Sequence, residues 1–358
     1  MQAFDEDGLW KQFFEESEQR LRSPERRAWV PTDLFYEVTR LSSRFPASSQ
    51  GLAWHYAPPA ALLGILQNNV VWAGSAALMN DYKELKSGVG ALRAYVENLK
   101  DEIGDEAADQ ILESLPADHA SRANQRFILS GSTDGDNLTL FRNYGGGTIS
   151  YAIGFDMAIR LVPLRQRTVP PYPSLQPSTT DIEEDQWGSL RLAFKPPRIE
   201  TAVRSWQEVI YEETKIDELV RRSFNLLHSD YLYALALPDH VKSQVAGIEW
   251  EVPLELLDFV KSSSFRDERE VRTLVPVARP SWMFVRFRPG ALGVLPYVEL
   301  TAPDSPASYA KRASKLPIKE IKISSTPYPE DARASLLQLL ADHGYDDVKV
   351  SVSHIPFR

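Results

Sequence analysis

Apolar residues in this chain recur at two spacings, and the alternation between them sketches the elements. Leu9, Trp10, Phe13 and Phe14 share one helical face, and Pro31-Thr32-Asp33 opens a second helix bearing Leu34, Phe35, Val38 and Leu41. Pro46-Ala-Ser-Ser-Gln-Gly51 then reads as a loop separating an N-terminal helical extension, residues 1–50, from a main α+β domain, residues 51–358. Strands and helices interleave beyond it. Strands are expected at 52–56, 70–73, 126–130, 148–155, 190–194, 202–211, 271–277, 297–300, 318–323 and 348–352. Helices are expected after Pro58-Pro59, over 81–100, 107–115, 137–144, 217–237 and 332–340.

Some neighbouring strands are joined by short loops and others by helices, and nothing repeats at a period of 20–50 residues. The expected fold class is therefore α+β, with a mixed or largely antiparallel sheet core flanked by helices. Residues 163–187 are rich in proline and poor in apolar residues, the composition of a loop that could serve as a lid. Gly145-Gly146-Gly147 reads as a helix stop.

Composition narrows the function classes. The 358 residues are 43% hydrophobic and 25% charged, a globular balance, with length enough for one elaborated domain or two packed ones. A net charge of −9 argues against broad nucleic-acid binding. Arg26-Arg27, Arg221-Arg222 and Val285-Arg-Phe-Arg288 remain candidates for a local basic groove. The absence of cysteine rules out disulfides and thiolate metal sites and suits a reducing cytosol. With an acidic N-terminus and no apolar run near the roughly 20 residues that span a bilayer, a cytoplasmic protein with no membrane partner is expected.

Common catalytic signatures are missing. There is no phosphate-binding Gly-x-x-x-x-Gly-Lys loop, no dinucleotide Gly-x-Gly-x-x-Gly, and no Gly-x-Ser-x-Gly elbow. His55, His119, His228, His240, His343 and His354 show no metal-ligand spacing, so no metal is expected. Pro303-Asp304 with Glu320-Ile-Lys322 outlines a metal-dependent nuclease core, although the aspartate falls in a Pro/Ser-rich loop and Lys319, Glu320 and Lys322 fit equally as charges fringing a strand.

Three segments stand out. Trp54-His55-Tyr56 puts an aromatic-flanked histidine on a strand, where it could line a pocket or be satisfied by a backbone carbonyl. Asn80-Asp81-Tyr82-Lys83-Glu84 opens a helix, and Asp81 with Glu84 fits a capping box. In Glu268-Arg269-Glu270-Val271-Arg272, strand alternation would put Glu268, Glu270 and Arg272 on one face, either as a surface ladder or as a cavity wall.

Taken in order, these segments form a longer pattern. His55-Tyr56, Asn80-Asp81-x-x-Glu84, Ile128-Leu-Ser130, Asp136-Asn-Leu138, Arg142-Asn-Tyr144-Gly145, Ile153-Gly-Phe-Asp156 and Phe265-x-x-Glu268-x-Glu270-x-Arg272 follow one another. With Pro317-Ile-Lys-Glu-Ile321 and Ser353-His-Ile-Pro-Phe357, the set resembles a bacterial family filed as domain of unknown function twenty-nine seventy-one, over residues 51–358. Phe141, Val271 and Ser130-Gly-Ser-Thr133 depart from that family's usual residues. The arrangement is in turn similar to the ADP-ribosyltransferase superfamily, with a histidine on the first strand, an aromatic and serine segment in the middle and a glutamate on a late strand.

That second resemblance implies NAD as substrate and transfer of ADP-ribose, or glycohydrolysis of NAD, in a toxin or phage-defence effector. His55 would contact the ribose, Tyr144 would stack on nicotinamide, and Glu268 or Glu270 would be catalytic. Tyr56, Asn80, Ser130, Arg142 and Arg272 would complete the nucleotide site, with Arg142 balancing the pyrophosphate. The acceptor would be a macromolecule of unspecified kind. A non-catalytic nucleotide sensor or interaction module is the alternative, and the N-terminal helices could pack on the domain or serve as a partner surface.

Overall fold

The computed structural model describes residues 50–78, 82–115, 126–146, 149–167, 180–184, 190–194, 203–236, 255–277, 283–290 and 292–355. The N-terminal helices, Asn80, Asp81 and most of the proline-rich stretch lie outside these residues. The chain read as one α+β domain from 51 onward divides into two compact units, because residues 81–119 and 208–267 cluster apart from the remainder.

The first of these units is helical. It contains α2 (Tyr82–Asn98), α3 (Lys100–Ile103), α4 (Asp105–Ser114) and α6 (Glu213–Ala236). Leu92, Val96, Ala108, Ile111, Leu227 and Leu256 close its core. The spacing of Ala107, Ala108 and Ile111 puts them on the one face of α4 that is buried. The 81–100 and 217–237 expectations match α2 and α6 to within a few residues.

The other unit carries the sheet. Its strands are β1 (Leu52–Ala57), β2 (Val71–Ser75), β3 (Arg126–Ser132), β4 (Tyr151–Asp156), β5 (Val162–Pro163), β9 (Glu270–Pro276), β10 (Val285–Gly290), β11 (Gly293–Thr301), β12 (Ile318–Ile323) and β13 (Lys349–Val352). The main path runs β10-β11-β2-β3-β1-β4-β12-β13, with β9 paired to β3 and β5 to β11. Every ladder on this path is antiparallel except β12–β13. A separate antiparallel pair joins β6 (Thr180–Glu184) to β7 (Leu190–Phe194), so part of the expected lid loop is strand. The expected strand over 202–211 shrinks to β8 (Gln207–Glu208). Arg204 instead donates its N–H to the Leu274 carbonyl outside any ladder.

Helices α1 (Pro59–Asn68), α5 (Leu138–Tyr144) and α7 (Pro329–Asp342) belong to this unit. Proline fits the first turn of α1, where its missing N–H costs nothing, and Asn69 ends the helix in the left-handed region at φ 54°. Asn137 caps α5 by accepting from the Thr139 and Leu140 amides. Gly146, at φ 77°, takes the chain away from α5 through a conformation that a side chain would strain. Leu62, Ile65 and Leu66 of α1 join Phe127, Phe155, Val271, Val298 and Ile321 in one core.

Candidate functional site

The sheet forks at β3. Its one edge pairs with β9 along residues 126–132, so its other edge must serve two strands. Strand β2 takes the start of that edge at Phe127 and Ile128, and β1 takes the end at Ser132. Between these attachments the Ser130 carbonyl has no ladder partner on β1 or β2, and the His55 Nδ1 lies 3.0 Å from it. The sequence reading left two options for His55, a pocket lip or a carbonyl-satisfied strand residue. The fork gives it both environments at once: its Nδ1 meets a carbonyl, while the side chain also lines a cavity of about 730 Å³. Burial lowers the His55 pKa, and the Ser130 carbonyl offsets part of that by raising it. The neutral imidazole with an Nδ1 proton is the form that donates to the carbonyl.

The cavity has two walls of opposite character. Helix α1 supplies Ala60, Ala61, Gly64 and Asn68, whose i, i+4 spacing lines up small side chains along one face. The facing wall comes from β2, β10 and β11. There Arg286 pairs in register with Tyr297, and Trp72 with Glu299, which puts these four on one face of the strands. Arg286 donates to Glu299 Oε1 at 2.7 Å, and the Gln166 amide donates to Glu299 Oε2 at 2.9 Å. The Trp72 and Tyr297 rings lie 4.5 Å apart, and the Arg288 guanidinium sits 5.6 Å from the centre of the Trp72 ring. Volume and lining fall in the range of small-molecule sites, mostly apolar with a few converging polar groups.

A second cluster surrounds the start of β9. Glu268 is not on the strand, as alternation suggested, but closes a 3-10 turn (Ser263–Glu268). Arg269, at φ 44°, separates it from β9 and breaks the strand periodicity. Such a conformation costs a non-glycine residue about 1 kcal/mol or more. Two hydrogen bonds fix it: Ser132 Oγ donates to the Glu268 carbonyl at 2.7 Å, and the Thr133 amide to the Arg269 carbonyl at 3.0 Å. The Tyr144 hydroxyl reaches Glu268 Oε1 at 3.5 Å, a long contact between two partly exposed side chains.

Glu270 and Arg272 are both buried and bind each other through two bonds, Nε–Oε1 at 2.6 Å and Nη2–Oε2 at 2.8 Å. Ser130 pairs in register with Arg272 and Ser132 with Glu270. Ser130 Oγ is buried and meets no hydrogen-bond partner among the described residues. Tyr56 is built into the fold: its hydroxyl donates to the Asp134 carbonyl at 2.6 Å and accepts from the Asn137 amide at 3.1 Å. Its ring meets Phe141 edge-on at 4.9 Å. Burial therefore pushes its pKa well above the usual phenol value. Arg142 is exposed on α5, and Asn80 lies outside the described residues.

His55, Ser130, Glu270 and Arg272 thus sit on the adjacent strands β1, β3 and β9 but not on one face. His55 pairs with Ile153 on the face that packs into the core, whereas Ser130, Glu270 and Arg272 share the face of Trp54, and Tyr144 lies beside Glu268. The cavity that His55 lines contains none of Ser130, Arg142, Tyr144, Glu268, Glu270 or Arg272 in its wall. The sequence reading did not single out Trp72, Tyr297 or Glu299, and it noted Arg286 and Arg288 only as a basic stretch. The available signal was a tryptophan within the apolar run Val70-Val71-Trp72-Ala73, which the structure leaves 47% exposed.

Of the nuclease outline, Glu320 is held by Ser351 and Lys349, at 2.6 and 3.1 Å, and Lys322 lies 3.7 Å from Asp136. Among the described residues no group of three or more His, Asp or Glu side chains is placed to hold a metal. No described helix is long and apolar enough to cross a membrane. Comparison with protein families, curated proteins and solved structures returns no match to this chain.

Proposed function

We propose that this protein is an NAD-consuming enzyme of the ADP-ribosyltransferase or NAD glycohydrolase kind, binding the dinucleotide at the fork of its sheet. One observation carries the reading: a carbonyl-anchored histidine lining a cavity of about 730 Å³ where β1 and β2 part. A dinucleotide needs ring surfaces and cationic groups in one recess, and Trp72, Tyr297 and the two arginines supply them.

Cleavage of the nicotinamide–ribose bond sends the bonding electron pair to nicotinamide and leaves positive charge on the anomeric carbon. A fixed carboxylate stabilises that charge as it develops. Glu268 suits the role better than Glu270, because it is partly exposed whereas both oxygens of Glu270 are engaged by Arg272. Neither acid lines the cavity, so the nicotinamide ribose would extend past His55 toward Glu268. His55 would orient the ribose, and the acceptor would be water or a macromolecular nucleophile.

The test is nicotinamide release from NAD by the full chain. Wild-type activity is expected, with Glu268→Gln lowering the rate about 100-fold or more while leaving the fold intact. Equal rates for wild type and the variant would remove Glu268 from the chemistry, and no nicotinamide release from wild type would remove the enzyme reading.

A nucleotide sensor is the second reading, favoured by one observation. Glu299 is the carboxylate in the cavity wall, and it is neutralised by Arg286 and held by Gln166. Saturable NAD binding without turnover is its signature.

A further inference from the structure

Arg288 is the cation in the cavity wall whose charge is unanswered. Arg286 has Glu299 at 2.7 Å, but among the described residues no carboxylate pairs with Arg288. Its Nε is buried and has no hydrogen-bond partner among the described residues. A buried donor left unmade is a standing cost to the fold, and an oxygen from a ligand would recover it. Counting two guanidinium groups against the single Glu299 carboxylate, the strand wall carries one net positive charge.

The ring surface lies beside this charge. Trp72 keeps 47% of its surface exposed although its strand neighbours Val71 and Ala73 are buried. Tyr297 supports it from one side, and Arg288 lies over it. Across the cavity the α1 wall is cut back: a Cβ added at Gly64 would meet nothing within 4 Å. An anionic group and a flat ring are therefore both provided for in one recess.

We infer that Arg288 and Trp72 form a subsite for the adenosine diphosphate half of a dinucleotide, with phosphate oxygens at Arg288 and the base against Trp72. The inference rests on the proposed binding of NAD at the fork. It places the nicotinamide ribose toward His55 and the phosphates toward β10. A guanidinium held against a ring presents a planar donor fork that a lysine does not reproduce.

Calorimetric titration of the full chain with ADP, adenosine and inorganic phosphate tests the subsite, alongside NAD consumption. ADP is expected to bind, and each fragment to bind at least about tenfold more weakly, since each makes only part of the contact. Arg288→Gln should weaken ADP about 10- to 100-fold, Arg288→Lys less, and Trp72→Ala about tenfold. Gly64→Leu, which grows into the cavity from the opposite wall, should abolish ADP binding with Arg288 intact.

The inference is overturned if wild type does not bind ADP, or if a folded Arg288→Gln binds it within twofold of wild type. Should Arg288→Gln not fold, Gly64→Leu decides by the same threshold. ADP binding that depends on Arg288 without NAD consumption would keep the subsite and discard the enzyme reading. NAD consumption with an unchanged KM in Arg288→Gln would do the reverse.

Discussion

Glu270 and Arg272 stand two residues apart on β9, so strand alternation puts both on one face, where they form a buried ion pair. Removing one partner of a buried pair strands the other and typically costs 3–5 kcal/mol. Glu270→Gln is therefore expected to lower unfolding free energy by about that amount in a urea titration, whereas Glu268→Gln should leave it within about 0.5 kcal/mol, as a partly exposed side chain allows. Two neighbouring acids that look interchangeable in the sequence thus separate into one buried in an ion pair and one that is partly exposed. A stability loss for Glu268→Gln as large as that for Glu270→Gln would reject this division.

At the scale of elements, α1 is a helix with two loyalties. Leu62 and Leu66 bury one face in the sheet core, Ala60 and Gly64 leave the other recessed against the cavity, and Ala61 and Ile65 touch both. Glycine in a helix interior costs about 1 kcal/mol relative to alanine. Since a methyl at Gly64 meets no atom within 4 Å, Gly64→Ala should raise stability by about 1 kcal/mol in thermal or urea unfolding. No gain, or a loss, would show that the helix backbone at Gly64 is already constrained by its packing. Keeping glycine there despite that cost fits a wall whose emptiness is used.

For the whole molecule, acid is the informative stress. His228 lies between Phe224 and Tyr231 in the helical unit, and burial lowers its pKa to about 4 from 6.5. Above about pH 6.5 the imidazole is neutral in folded and unfolded chains alike, and its contribution is fully retained. As pH falls, the unfolded chain takes up the proton first, so stability declines until the folded-state value near 4 is reached. The loss from His228 amounts to roughly 3 kcal/mol by that point, and the lowered His55 pKa adds in the same direction. Unfolding free energy measured from pH 7.5 to 4 should fall accordingly, and His228→Phe should flatten the slope. An unchanged slope in that variant would place the acid sensitivity elsewhere.

Periodicity located several of the described elements. The apolar spacing located α1, α2, α6 and strands β1, β3, β9 and β12 to within a few residues, because burying one face of each element demands it. Composition fixed the absence of disulfides. Local rules also anticipated the proline start of α1 and the glycine stop after α5, since backbone geometry at those points depends on the residue itself.

Long-range pairing decided the rest. That β1 and β2 share one edge of β3, opening the fork at His55, follows from ladders between residues far apart in the chain, which no local pattern encodes. The same is true of the division into two units, formed by segments that interrupt one another in sequence. Glu268 left the strand that alternation assigned to it because Arg269 turns the backbone, and two hydrogen bonds from β3 and the residue after it hold that turn. Trp72, Tyr297 and Arg288 were legible only as an odd tryptophan, a strand tyrosine and a basic run. Their meeting in one wall is set by the register of three strands, and register is a property of the assembled sheet.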